Sequence, residues 1–446
     1  MSYISRGVLS KVLFFGVFAI CLVAAFYPTV HPSENADASI DKADLAWMLT
    51  ASAMVLIMTP GLSFFYGGMV NPKHIISTML QSFVALGMIS ILWYVVGFSL
   101  AFGESIGGII GNPFTYLFLN GVGLNTNAAL SPTIPFILFA GFQLKFAIIT
   151  PALITGSFAE RIRFWGYLVF MVLFSLIIYA PLAHWTWHPD GFLRKWGVLD
   201  FAGGTVVHIS AGVAALAGSL FMGPRVSRAK EIITPNIPYV LLGTGMLWFG
   251  WFGFNAGSAL GANALAAHSF ITTNLASASA MITWLLYETV RGRKPSALGT
   301  CVGAVVGLVA ITPAAGFVDY GPALFIGSVA AIISNVAVHW KSATNLDDTL
   351  DVFPCHGVGG IVGMILTAVF AKEVGLVYGQ TETFLYHLLA LVIVFAFVFG
   401  GSWLLYLLTN LITPLRVTAE SEVLGLDISQ HGESVYEQEL QALHSN

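Results

Sequence analysis

The sequence predicts an all-α membrane protein with eleven transmembrane helices, ten in a 5+5 inverted repeat around a pore and one extra. Three observations predict it. The 446-residue chain is 57% hydrophobic and only 9% charged, against roughly 25% charged in soluble domains. Its apolar residues gather into runs of the length that crosses a hydrocarbon core of ~30 Å, about 20 residues each. Two histidines, each behind an aspartate and ahead of small residues, recur in DFAGGTVVHISAG (200–212) and DVFPCHGVGG (351–360).

Taken in order, the chain opens on MSYISRGVLSK, whose Arg6 and Lys11 precede an apolar run from Val12 to Tyr27 and then Ala36-Asp37-Ala38. A basic stretch, an apolar stretch and an A-x-A site read residues 1–38 as a signal peptide or, uncleaved, as an additional N-terminal helix. Either way the chain after Tyr27 is expected outside. Residues 39–413 form the transmembrane domain, with spans near 45–69, 75–102, 133–158, 164–184, 201–222, 238–261, 264–287, 296–314, 321–340, 352–371 and 383–410. The eighth is the weakest by hydropathy. Pro60 and Pro151 fall inside spans, and the spans are rich in glycine, which suits close helix packing. Residues 414–446 are read as a cytoplasmic tail.

Loop charge fixes the orientation. With residue 39 outside, eleven Lys and Arg, among them Arg161, Arg225 and Arg293, fall on the cytoplasmic side, against Lys42, Arg194, Lys195 and Lys372 outside. This satisfies the positive-inside rule and puts the C-terminus in the cytoplasm. A net charge of −4 without a large basic patch gives no reason to expect nucleic acid. Cys21, Cys301 and Cys355 lie in apolar runs without paired spacing, so neither a disulfide framework nor a zinc site is expected.

Symmetry comes from comparing the spans. The fifth and tenth each carry an aspartate, then a histidine, then small residues; the first and sixth end in SFFYGG and WFGFNAGS. Five is odd, so the two halves enter the membrane with opposite polarity, the plan of an inverted repeat around a midplane site. In this reading Asp351 is the counterpart of Asp200.

His208 and His356 are the residues most in need of explanation, because an ionisable group at membrane depth is costly and usually functional. One such histidine is readily a satisfied core residue; two at matching positions suggest an imidazole pair able to share a proton. No third ligand has a convincing position for a metal. Phe142 and Phe146 share one helix face at i and i+4, as do Phe254 and Ser258. Packing alone would explain the phenylalanines, whereas the Ser258 hydroxyl could accept a hydrogen bond from a cation. Trp187 is placed in the external connection, either as an interfacial anchor or as a cation–π platform worth about 0.5–2 kcal/mol. Asp200 either caps the helix behind it or stabilises a cation at the outer mouth. A membrane enzyme is disfavoured, since no nucleophile, metal set or nucleotide loop accompanies the histidines.

DFAGGTVVH, GWFGFNAGSA, DVFPCHGVGG, ITPALITGSFAERIRF and PGLSFFYGG together resemble the signature stretches of the ammonium transporter (methylammonium permease/Rh) family, over about residues 43–436. The resemblance implies ammonium or ammonia transport, a homotrimer with one pore per subunit in the cell (inner) membrane, and an outside N-terminus after signal removal. It implies that His208 and His356 are the pore-lining twin histidines, that Phe142 and Phe254 form a phenylalanine gate, and that Phe146, Trp187, Ser258 and Asp200 recruit ammonium. No cofactor is implied. The tail, with GLD, His431-Gly432-Glu433 and Tyr436, resembles one that in relatives helps dock PII-type regulatory proteins; no fused signalling domain is expected after it. Lys145 lies between the two phenylalanines in sequence and would repel cations if it reached the pore. A passive Rh-like channel for ammonia or carbon dioxide, and an ammonium sensor, are the alternatives.

Overall fold

The computed structural model describes residues 6–28, 39–226 and 236–435. The Ala36–Ala38 cleavage site, Arg228, Lys230 and Tyr436 lie outside the described residues. Among those described, eleven helices are long and apolar enough to cross a membrane and a twelfth is shorter. They are α1 (Gly7–Phe26), α2 (Lys42–Gly67), α3 (Pro72–Phe102), α4 (Phe136–Ser157), α5 (Phe164–Lys195), α6 (Gly204–Met222), α7 (Ile237–Gly257), α8 (Ala264–Val290), α9 (Ala297–Ile311), α10 (Tyr320–Ser342), α11 (Phe353–Phe370) and α12 (Glu382–Ile412). With α1 set aside, the ten long helices and α9 are the eleven expected spans.

The weak eighth span is α9, of 15 residues. Its modest hydropathy and its length have one cause. Glycine and alanine replace larger side chains because α7, α8, α10 and α11 all pack on it, and from Gly303 to Ile311 every residue is buried.

The halves α2–α6 and α7–α11 repeat. α2 crosses α7 at glycines: a Cβ on Gly243 would stand 2.3 Å from the Phe65 nitrogen. α6 crosses α11 still more closely, a Cβ on Gly212 falling 2.1 Å from the Gly357 nitrogen. Small residues set these approaches, as in other membrane helix pairs. Both α6 and α11 open with a π-helical segment, Gly204–Ile209 and Phe353–Val358, and each segment holds its histidine. Such widened turns recur at functional sites.

Two readings of the sequence need correction. Asp348, rather than Asp351, is the counterpart of Asp200. It stands eight positions before His356, as Asp200 does before His208, and it accepts the amides of Val352 at 3.1 Å and Phe353 at 2.7 Å. Asp351 has a positive φ of 59° and pairs with Lys341 at 2.7 Å. Trp187 is the last residue of a helical segment, Ala180–Trp187, and not part of a connection. Within α5 the π turn Ser175–Tyr179 continues into Ala180–Trp187, and His188-Pro189-Asp190-Gly191 separates that segment from the last turn, Phe192–Lys195.

The tail docks on one end of the bundle, here called the tail face. Its helix α13 (Ala419–Leu424) leads to a π turn, Asp427–His431. Asp427 accepts the amides of Ile76 and Ser77 at the start of α3, at 2.9 and 2.7 Å. Gln430 bridges the Ile162 carbonyl and the Phe164 amide, and Arg416 pairs with Glu422 at 3.0 Å. Beneath it Arg225 joins Glu160 (2.7 Å) and Asp347 (3.0 Å), while fully buried Arg161 donates to Thr349 and to the Ser157 and Asp347 carbonyls. Burial alone would raise the Asp347 carboxyl, but the Arg225 hydrogen bond and the Arg161 charge outweigh it and hold it at about 2. Burial brings the Arg161 guanidinium down to about 10.

Candidate functional site

α5 starts at the tail face and carries Trp187 to the opposite face, where a cavity of about 370 Å³ opens. This vestibule is lined by Gln143, Phe146, Trp187, Asp200 and Ser258, among others. Four of these were singled out from sequence, and the fold gathers them from α4, α5, the approach to α6 and the end of α7.

Asp200, Trp187 and Ser258 each have a defined hydrogen-bonding state. The Asp200 carboxylate accepts the amides of Gly203 (2.8 Å), Gly204 (2.6 Å) and Thr205 (2.7 Å) and the Thr205 hydroxyl (2.5 Å). That satisfies the free amides opening α6 and leaves the carboxylate little capacity for a ligand. The Trp187 indole donates to the Asp200 carbonyl at 3.3 Å, and Arg194 holds the Trp187 carbonyl at 2.7 Å. The Ser258 hydroxyl donates to the Phe254 carbonyl at 2.8 Å, so its lone pairs remain for an incoming donor.

The vestibule floor is aromatic. The Phe146 ring lies 4.2 Å from the Phe254 ring and 5.7 Å from Trp187, the latter edge-on. Phe146 faces the vestibule, while Phe254 lines the chamber below. The ring packed against Phe254 is thus Phe146, tilted at 34°, where the sequence had suggested Phe142. Phe142 is fully buried, meets Phe146 edge-on at 4.9 Å and lines neither space. The i, i+4 relation gives both rings one face but not their depth against α7. Lys145 is half-buried and does not line the vestibule.

Below Phe254 the passage narrows to two apolar chambers of about 10 Å³ each, near the least that holds one water-sized molecule. The upper is lined by Phe254, His208, Trp251, Val207 and His356; the lower, toward the tail face, by His356, Cys355, Phe65 and Leu350. His356, Phe65 and Val305 border both.

The two imidazoles meet Nδ1 to Nδ1 at 3.3 Å, so one must donate. Thr312 decides which. Its hydroxyl proton goes to the Leu308 carbonyl (2.8 Å), and its oxygen accepts the Trp251 indole N–H (2.9 Å). Toward His208 Nε2, at 3.3 Å, it can only accept. Neutral His208 therefore carries its proton on Nε2, and His356 donates from Nδ1. The remaining lone pair of the pair is on His356 Nε2. Stacking of His208 on Trp251 at 5.3 Å and 20° fixes the ring plane.

Trp251, Thr312 and Asp348 were not found from sequence. Trp251 was hidden in an aromatic-rich run, Thr312 is a lone threonine capping α9, and Asp348 competes with Asp347 and Asp351 for the same motif position. No group of three or more His, Cys, Asp or Glu able to hold a metal occurs among the described residues.

Comparisons with known proteins agree in direction. Residues 46–436 match the model of the Ammonium Transporter Family. The chain is 45% identical to an ammonium transporter of Aquifex aeolicus, over 93% of this chain and 97% of that one. Among solved structures it resembles Saccharomyces cerevisiae Mep2 (TM-score 0.81, 35% identity, 86% of this chain and 90% of that one). It also resembles a protein described as a sensor Amt protein (TM-score 0.80, 31% identity, 87% and 98%).

Proposed function

The chain belongs to the ammonium transporter family and moves ammonium or ammonia across a membrane, and we propose that it does so by parting the ion from its proton. Ammonium is held as a cation at Trp187, Phe146 and Ser258. It loses a proton at the Phe146–Phe254 closure and passes as ammonia along His208 and His356. The observation that carries this reading is the Phe146–Phe254 ring contact, 4.2 Å between centroids, with a partly polar vestibule on one side and an apolar passage on the other.

Magnitudes favour this order of events. A charge at the centre of a bilayer costs roughly 3 to more than 10 kcal/mol. Neutralising a lysine-like amine of pKa ~10.4 at pH 7 costs about 4.6 kcal/mol. Potassium has no proton to lose, so the passage rejects it on charge and not on size. The imidazole pair either relays the proton separately, making transport electrogenic, or serves only as hydrogen-bond partner to ammonia.

In this reading Asp200 supports the vestibule through the helix it caps, and Phe142 backs Phe146. No enzymatic step and no cofactor are invoked. The tail face is cytoplasmic, residues 1–38 are a signal peptide or an uncleaved N-terminal helix, and the vestibule faces outward from the cell (inner) membrane. The exposed apolar faces of α7 and α8, with Phe249, Ile271 and Leu286, suit contact with lipid or with the other subunits of a homotrimer. The docked tail is where a PII-type protein would bind. A passive gas channel would have no use for a cation-holding vestibule.

The test is current across a bilayer containing the purified protein, on adding ammonium or potassium at equal concentration. Ammonium current without potassium current supports the reading. Equal potassium current overturns the charge-based selectivity, and no current with either ion leaves the gas channel or sensor.

A further inference from the structure

Resting on the reading that ammonium enters the vestibule as a cation, we infer that Gln143 is a second hydrogen-bond acceptor for it, paired with Ser258 above the Phe146–Phe254 closure. Ammonium presents four N–H groups, and each water it sheds must be replaced by an acceptor. The vestibule's most obvious acceptor is already engaged, because all four bonds to the Asp200 carboxylate come from Gly203, Gly204 and Thr205. Trp187 offers only a π face and a donor N–H spent on Asp200, and Arg194 is cationic. Ser258 supplies lone pairs.

Gln143 lines the same cavity one helical turn before Phe146, and the residue is 8% exposed. Its Oε1 is buried with no hydrogen-bonding partner among the described residues. A buried amide oxygen left so is costly and calls for a donor. A half-turn of the terminal amide torsion exchanges oxygen and nitrogen, so the oxygen can serve the vestibule without moving the rest of the side chain. A valine or leucine would pack as well on α4; the amide is the feature that packing leaves unexplained.

The experiment measures ammonium-elicited current against concentration in proteoliposomes of the full chain, for the parent, Gln143→Leu, Gln143→Glu and Ser258→Ala. Gln143→Leu is expected to raise the half-saturating concentration about tenfold, or 1.4 kcal/mol, with maximal current within about twofold of the parent. Gln143→Glu, which keeps an acceptor oxygen at the same reach, is expected to restore the parent value or better it. Should Gln143→Leu fail to fold, Gln143→Met, unbranched and of similar length, takes its place with the same expectation. A parent-like half-saturation in Gln143→Leu beside a raised one in Ser258→Ala overturns the role of Gln143 alone. A lowered maximal current at unchanged half-saturation overturns it too, as a packing effect. Parent-like curves for both variants overturn cation recruitment itself, and the inference with it.

Discussion

His356 donates from Nδ1 to Nδ1 of His208 across 3.3 Å, and the direction of that bond is set by a threonine on a different helix. Thr312 receives N–H bonds from both His208 and Trp251 while its own proton is held by Leu308. The free lone pair on His356 Nε2 thus depends on one hydroxyl that contacts His208 and not His356.

Thr312→Val should expose this dependence. It orphans the His208 and Trp251 donors in an apolar surrounding, where each unsatisfied group costs about 1–3 kcal/mol. We expect a lower melting temperature in detergent and a reduced ammonium current, with Thr312→Ser close to the parent in both. A Thr312→Val protein with parent melting and current would show that the tautomer is held by something else.

Replacing Phe146 and Phe142 separately distinguishes the two candidate gates. Phe146→Ala removes the ring packed against Phe254 and should let potassium enter the chamber, giving a measurable potassium current. Phe142→Ala removes a buried ring that lines neither space. It should cost about 3–5 kcal/mol of stability while potassium exclusion survives. The reverse pattern of potassium currents would restore Phe142 as the gate.

These two phenylalanines mark where the sequence stops being legible. Hydropathy locates the helices because the bilayer leaves few other solutions, and it finds even α9, whose glycines and alanines record how tightly it is surrounded. The histidines stand out because burying imidazole needs a reason. Depth is harder to read. Phe142 and Phe146 lie on one face of α4, and only the position of α7 decides which ring Phe254 meets. The same holds for Asp348. Three aspartates fall within five positions, and the choice among them depends on a π turn that hydropathy does not register.

Asp348 makes stability depend on pH. Burial, with Asp351 nearby, pushes its carboxyl up to about 6 despite Lys341. A folded value above the unfolded one of about 3.9 means that the contribution is full below pH ~4 and is lost as pH rises through 6, by about 3 kcal/mol. Asp348→Asn does not titrate there. The stability of the parent relative to this variant should therefore fall between pH 4 and 6 and level off above. A constant difference across that range would place the carboxyl at its ordinary value.

Asp347, one position earlier, behaves oppositely. Burial opposes its ionisation, yet the Arg225 hydrogen bond and the Arg161 charge hold it at about 2. A depressed carboxyl stabilises the fold above the unfolded value of about 3.9, and the contribution is lost as pH falls toward 2. In Asp347→Asn the Arg225 guanidinium keeps Glu160 but loses its second anion, and Arg161 keeps only neutral acceptors. Breaking a buried pair by removing one partner typically costs about 3–5 kcal/mol, so the variant should melt lower at pH 7 and converge on the parent as pH falls toward 2. The tail reports the same change locally, because Arg416 and Glu422 are anchored next to Arg225 through the Pro224 carbonyl and the Val226 amide. Hydrogen exchange in 413–433 should rise in Asp347→Asn at pH 7 before the membrane helices exchange. Unchanged tail exchange in a destabilised variant would separate the charge cluster from the docking of the tail.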